Sequence, residues 1–351
     1  MMKKVTIVTH IDFWRLGAGH RARLLTLMSV LSQVTELSIF YVGTDKEYER
    51  KKILSLPLKF NFIDVKQDVR KEFREYLHCN PVDVCIIEYL ELSPLINEIP
   101  KEIRVFLDTH DLVCEKNKKF KEFNTFNRLR GLTQNEELSI FRQFHKVILI
   151  QEEEYRSVKN ILGKEKVLLA PHSVDFSQKK IRKEVKNIGF IASEYSPNIE
   201  GLHWFVNNVW PKVDKGDFFF NLYGRINNCV KLEKKGINQK GFILNLNSIY
   251  EETDIIINPV RFGAGLKIKN VEAFGNGLPL VTTSHGSSGL RQWTNSAYLV
   301  ADNADDFAYL LNKLIKDYFL RKKLGNNAYN VSRKHFSPMS CYGELIKAIN
   351  N

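Results

Sequence analysis

The sequence predicts an α/β protein of two doubly wound parallel-sheet domains, and three observations carry that reading. Short apolar runs alternate with amphipathic segments of helical spacing along most of the chain, which is the pattern of βαβ units rather than of hairpins. The 351 residues suffice for two domains of ordinary size and are many for one. The apolar run Ile255-Ile256-Ile257 also ends in the turn Asn258-Pro259-Val260-Arg261-Phe262-Gly263-Ala264-Gly265, where Gly263 and Gly265 supply backbone freedom. Leu266, Val271 and Phe274 then recur at roughly helical spacing until Gly277-Leu278-Pro279 breaks the pattern before an apolar strand at Leu280.

Composition narrows the function classes. Apolar residues make up 44% and charged residues 26% of the chain, as in soluble globular proteins. No stretch approaches the roughly 20 apolar residues of a membrane span. The opening Met1-Met2-Lys3-Lys4 leads into only a short apolar run, read as a first strand rather than a signal peptide, so a cytoplasmic protein is expected. Cys79, Cys85, Cys114, Cys229 and Cys341 are scattered without C-x-x-C pairs, which implies neither a disulfide framework nor a zinc site. The net charge of +12 calls for an acidic partner such as a nucleoside diphosphate or an anionic lipid surface. Nucleic acid is not expected, for there is no zinc finger, RNA-binding aromatic signature or long basic arm.

Taken in order, residues 5 to 9 read as the first strand. After a loop come Gly17-Ala18-Gly19-His20-Arg21-Ala22 and the amphipathic run Arg23 to Leu31. This is formally G-x-G-x-x-A, but it does not follow its strand directly, and the second strand offers Asp45 only after Gly43. Next are a strand at Leu37 to Val42, a helix-like Lys46 to Leu54, a strand at Phe60 to Val65 and a basic amphipathic segment Val69 to His78. Strands at Val82 to Glu88 and Val105 to Asp108 follow. Polar motifs sit at the ends of these last two, Glu88-Tyr89 and Asp108-Thr109-His110-Asp111, where ligands of open parallel sheets bind. A histidine there can orient a hydroxyl or carry a proton near neutral pH. The charged stretch Glu115 to Leu138 reads as a helical excursion or mobile loop. Val147 to Ile150, Gln151 to Tyr155 and Val167 to Asp175 complete the first domain. The charged run Lys179 to Lys186 is a composition break that divides residues 1–178 from a second domain at 179–335 and a last segment at 336–351.

The second domain opens with a strand and polar loop over Asn187 to Asn198. A helix at Ile199 to Val209, the apolar run Phe218 to Gly224 followed by Arg225, the segment Gly241-Phe242-Ile243 and a helix at Leu246 to Glu251 come next. A helix opening on the glycine turn points free N–H groups and a positive dipole end outward, which suits an anion. Lys267 and Lys269 fall in its first turn, unfavourable positions for cations unless a diphosphate is held between amides and ammonium groups. Residues two apart are about 200° apart around a helix. Lys269 shares a face with Glu272, so Lys269 is expected to dominate.

On these residues the block from Asn258 to Thr282 resembles the signature of the group 1 (family 4) glycosyltransferases, strongly from Asn187 to Gly289 and moderately along the rest. The resemblance implies the GT-B architecture, with two facing Rossmann-like domains and a ligand cleft between them. Residues 1–178 would hold the acceptor, 179–335 the nucleotide sugar, and 336–351 would form a helix crossing back to the first domain. It implies that Gly17 and Gly19 face the donor phosphates and that His110, with Asp111, lies beside the anomeric carbon. His172 and Asp175 lead into the linker. Phe242 and Ile243 would meet the nucleobase, Gly263, Ala264, Gly265 and Leu266 would form the donor turn, and Glu272 would accept the ribose hydroxyls. The loop ending at Asn198 lacks the Arg and Lys that relatives often place there, so Lys267, Lys269 and Arg225 are the candidates for the diphosphate. A family glutamate eight positions before Glu272 is replaced by Ala264, as in a subgroup with small residues.

The implied activity is sugar transfer from a nucleotide-diphosphate sugar to a glycan or lipid-linked acceptor in polysaccharide biosynthesis, with retention of configuration. His110, Asp111, Lys269 and Glu272 would be the catalytic residues. The chain has no Asp-x-Asp motif, so no metal and no cofactor beyond the donor substrate is expected. The basic balance fits work at the inner membrane face. A sugar-nucleotide epimerase and a non-catalytic nucleotide-sugar-binding protein share this architecture. A nicotinamide oxidoreductase would rest on the Gly17 motif alone.

Overall fold

The computed structural model describes residues 2–15, 17–43, 52–53, 55–65, 67–125 and 131–351. The first sheet is built from β1 (Lys3–Thr9), β2 (Thr35–Tyr41), β3 (Asn61–Asp64), β4 (Val84–Glu88), β5 (Arg104–Asp108), β6 (Lys146–Leu149) and β7 (Val167–Leu169), in the order β3-β2-β1-β4-β5-β6-β7. The second contains β8 (Asn187–Ile191), β9 (Phe219–Tyr223), β10 (Ile237–Gly241), β11 (Ile255–Asn258), β12 (Leu280–Thr282) and β13 (Leu299–Val300), in the order β10-β9-β8-β11-β12-β13. Every pairing between these strands is parallel. The two Rossmann-like sheets make this a GT-B fold.

The central strands β4 and β11 are buried along their whole length, because helices cover both faces of a parallel sheet. Strand order reverses between β1 and β4 in one sheet and between β8 and β11 in the other. Those two crevices are where ligands of such sheets bind. The helices follow their sequence signals: Asp68 caps Val69–Cys79, Thr133 and Glu136 form a capping box on Gln134–Arg142, and Asn303 caps Ala304–Lys316.

One expectation falls on undescribed residues and two gain detail. Asp45 and most of the helix-like Lys46 to Leu54 lie outside the described residues. The described part of Glu115 to Leu138 belongs mainly to two helices, Val113–Glu122 and Gln134–Arg142. The helix expected over Ile199 to Val209 is α-helical only over Ser196–Trp204 and widens to a π turn at Phe205–Val209.

Buried polar contacts fix the linker and the last helix. Arg321, from the helix Tyr318–His335, donates to the carbonyls of Arg182 at 3.0 Å and Lys183 at 2.6 Å. Asp254 accepts from the backbone of Lys186 and Asn187 at 2.8 and 2.9 Å, which anchors the start of β8. The helix Pro338–Asn350 lies on the first domain, where Arg104 donates to the carbonyls of Ala348 at 2.7 Å and Ile349 at 2.5 Å. These bonds satisfy carbonyls that a helix end leaves free.

Candidate active site in the interdomain cleft

A cavity of about 880 Å³ opens between the carboxyl ends of the two sheets. Its second-domain wall is the loop after β11 and the helix Ile268–Gly275. Buried asparagines hold that helix in place: Asn270 accepts from Asn258 at 3.0 Å and donates to the Gly286 carbonyl at 2.8 Å. The helix can therefore shift little without leaving buried polar groups unpaired.

Lys269 leaves this helix, crosses the Phe190 ring at 4.5 Å and donates to Asn198 Oδ1 at 2.8 Å. Asn198 is itself tied back to Ser193. Glu272 accepts a hydrogen bond from the Tyr250 hydroxyl at 2.8 Å. Lys267 differs from expectation: it is the residue before the helix, with non-helical φ −83° and ψ 88°. Its ammonium turns back onto the carbonyls of Ala264 at 3.0 Å and Gly265 at 2.9 Å. The angular argument for two lysines in one turn thus does not apply, and both line the cleft.

Burial lowers Lys267 to about 8, an effect that Asp111 and Glu154 oppose. Burial and the Lys267 charge bring Lys269 to about 7. Burial raises the Glu272 carboxyl to about 7, against the Tyr250 hydrogen bond and Lys269. An anion entering here would meet two ammonium groups that gain charge as it binds.

The first-domain wall carries the other half. Asp111 accepts from Lys116 at 2.8 Å. Burial opposes its charge, yet Lys116, Lys267 and His110 hold Asp111 below the usual carboxylate range. The His110 ring stacks on Tyr89 with centroids 4.1 Å apart, and its Nε2 is hydrogen-bonded to Glu88. Burial lowers the His110 imidazole, although the Asp108 charge pulls the other way. Among the described residues, Glu88, Asp108 and His110 bring ligand-type side-chain atoms within 4.8 Å of one another. Those groups are already engaged: Asp108 pairs with Arg23 at 2.5 Å and Glu88 with His110.

The remaining expected residues fall on the seam between domains. Gly17 has φ 98°, and a Cβ there would lie 2.6 Å from Phe242 Cε2, so the first glycine loop lies against the second domain. Gly19 faces Ile268 in the same way. Phe242, Ile243, Asn198, Gly263, Ala264 and Leu266 all line the cleft. Arg225 and Gly265 do not: Arg225 stands 5.3 Å from the Phe242 ring centroid, and Gly265 meets Asp111. Phe242 lies beyond the end of β10 rather than on it. His172 lines the cleft, buried beside Thr26.

Sequence reasoning missed three residues and the partner of a fourth. Lys116 lines the cleft 5.9 Å from the Tyr195 ring centroid, next to the loop that lacks the usual basic pair. It sits in the charged stretch that sequence could not place. Tyr250 supports Glu272 and read only as part of a helix. Glu154 is buried near Lys267, and burial and the Asp111 charge raise it to about 8 against the pull of Lys267 and of the nearby Gly265 and Leu112 backbone. Glu88 was visible as a polar residue ending a strand, but its partner was not.

The two-domain fold and a cleft lined by lysines and carboxylates define the class: a GT-B protein with a charged interdomain cleft. Residues 185–317 match the family described as Glycosyl transferases group 1. That match covers well under half of the chain, and over it the chain is similar to the group 1 glycosyltransferases. An uncharacterized 44.6 kDa protein in the cps region of Klebsiella pneumoniae is 26% identical over 250 residues, covering 67% of this chain and 64% of that protein. The chain thus spans just under two thirds of that relative. Among solved structures, HepE of Anabaena in complex with UDP and glucose superposes with a TM-score of 0.73 at 12% identity, covering 100% of both chains. Sucrose-phosphate synthase of Thermosynechococcus elongatus superposes with a TM-score of 0.73 at 13% identity, covering 99% of this chain and 97% of that one. Among the described residues no helix is long and apolar enough to cross a membrane.

Proposed function

We propose that the chain is a glycosyltransferase that binds a nucleotide-diphosphate sugar mainly on its second domain and passes the sugar to a glycan or lipid-linked acceptor held by the first. The observation that carries this reading is the convergence of Lys269 and Glu272 on one cleft with His110 and Asp111 across it. Glu272, held by Tyr250, accepts the ribose hydroxyls. Lys269 and Lys267, with the helix amides, take the diphosphate. Charge that develops on the leaving phosphate is met by ammonium groups already in place within a poorly solvated site, and such preorganisation lowers the barrier. His110 stands beside the sugar, and the leaving diphosphate takes the acceptor's proton on the face it departs from, which retains configuration. The reaction uses no metal and no cofactor. The net charge of +12 supports work at the inner face of an anionic membrane, on the cytoplasmic side.

The solved complex of HepE with UDP and glucose supports a nucleotide sugar as donor. A thermal-shift panel of nucleotides and nucleotide sugars tests the reading, since a ligand at a hundred times its Kd stabilises by about 2.7 kcal/mol. The stabilising nucleotide sugar is then incubated with and without acceptors. Sugar transfer or slow donor hydrolysis is expected. Epimer formation, or binding with no turnover, would replace the proposal.

A further inference from the structure

We propose that Glu88 is a positioning residue that sets which imidazole nitrogen of His110 carries the proton at the cleft. This rests on the proposed role of His110 in sugar transfer. Glu88 ends β4 and Asp108 ends β5, and the two are in register. Both are fully buried. Asp108 is taken by Arg23, whose second nitrogen donates to the Ala170 carbonyl at 3.1 Å. Glu88 Oε2 is instead bound to His110 Nε2, and Oε1 has no hydrogen-bond partner.

The imidazole is held in one pose. His110 has φ 58° and Tyr89 φ 67°, both in the left-handed region that non-glycine residues seldom adopt. Their rings are nearly parallel, 15° apart, and Tyr89 also stacks on His10 at 5.4 Å. A ring flip would break the bond to Glu88, and any other rotation of the ring would break the stack. Nε2 is committed to Glu88, and among the described residues no hydrogen bond engages Nδ1. The ring lines the cleft, so Nδ1 is the nitrogen available to a ligand.

A neutral imidazole carries one proton. When Glu88 is a carboxylate it accepts from Nε2–H, and Nδ1 is an acceptor. When Glu88 is a carboxylic acid it donates to Nε2, and Nδ1–H is a donor. The two states differ by one proton, which enters at Nδ1 as the Nε2 proton passes to the carboxylate. Burial raises Glu88 above the ordinary carboxylate range, against the pull of Arg23, and lowers His110, so the charge-separated pair is disfavoured. The other groups facing the pair are Asp108, Arg23, Asp111 and Lys116, with His20 on the helix Gly19–Val34. Arg23 and Lys116 are held cationic, Asp111 anionic, and burial keeps His20 neutral.

The test is nitrogen NMR of the full chain labelled in its histidines, from about pH 5.5 to about pH 8.5, with His110 assigned from a His110→Asn variant. In the wild type the His110 proton should move from Nδ1 to Nε2 as pH rises, and in Glu88→Gln one tautomer should persist throughout. A single tautomer in the wild type overturns the proposal even if the variant does not fold, and so does the same exchange in Glu88→Gln. The readout needs no turnover, so an exchange seen in a protein that transfers no sugar would refute the transferase reading and leave the Glu88 assignment standing. In an active protein, Glu88→Gln should also remove one limb of the pH–rate profile.

Discussion

Asp111 Oδ1 lies only 2.1 Å from where a Cβ on Gly265 would stand. One residue belongs to each domain, and Gly265 holds φ 70°, so a side chain there is opposed by the opposite wall as well as by its own backbone. Gly265→Ala should therefore prop the cleft open and weaken donor binding. Adding Asp111→Ala should restore part of the closure. Small-angle scattering with saturating nucleoside diphosphate reads this directly, and identical profiles for wild type and Gly265→Ala would remove the contact from the ligand-bound form.

Lys269→Ala should weaken nucleoside-diphosphate affinity by about tenfold to a hundredfold, the range of one lost hydrogen bond to a charged group at roughly 1.5–3 kcal/mol. Lys267→Ala should cost less, because its ammonium is spent on the Ala264 and Gly265 carbonyls. Calorimetric titration decides between them. A larger loss for Lys267→Ala would mean that the diphosphate sits over the glycine turn instead.

Glu272→Gln should reduce nucleotide affinity while leaving the fold intact. Tyr250→Phe should do so by a smaller factor, since it removes only the 2.8 Å hydrogen bond that orients the carboxylate. Nucleoside and deoxynucleoside diphosphates compared on both variants locate the effect. If Glu272→Gln weakens the two equally, the carboxylate does not read the ribose.

Binding of a diphosphate near pH 8 should take protons up from solution. Lys267 at about 8 and Lys269 at about 7 are partly neutral there in the free protein, and an anion raises both. Glu272, at about 7, is by then mostly ionised and contributes little. Calorimetry in buffers of different ionisation enthalpy measures the net proton count, and release instead of uptake would contradict the lysine assignment.

Activity should persist in excess EDTA. The buried Glu88, Asp108 and His110 have ligand geometry, but a cation there would compete with Arg23 for Asp108. Loss of turnover in EDTA with recovery on magnesium or manganese would show that a metal wins that competition.

The parts of this protein that depend on neighbours in the chain were legible in its sequence. The apolar runs of β4 and β11 mark strands covered on both faces, and the glycine turn with its Gly277-Leu278-Pro279 stop brackets the helix Ile268–Gly275. The same local pattern put Glu272 and Lys269 on one helix face. Lys267 was misplaced within that helix because spacing alone does not reveal a non-helical φ and ψ. Docking of the two domains decided the rest. Lys116, Glu154 and Asp111 are charged residues of the kind that usually face solvent, and nothing adjacent to them in the chain says otherwise. They become a site only because the closed cleft brings Asp111 against Gly265, Glu154 into the field of Lys267 and Lys116 beside Tyr195, which excludes water and leaves the charges to pair with one another.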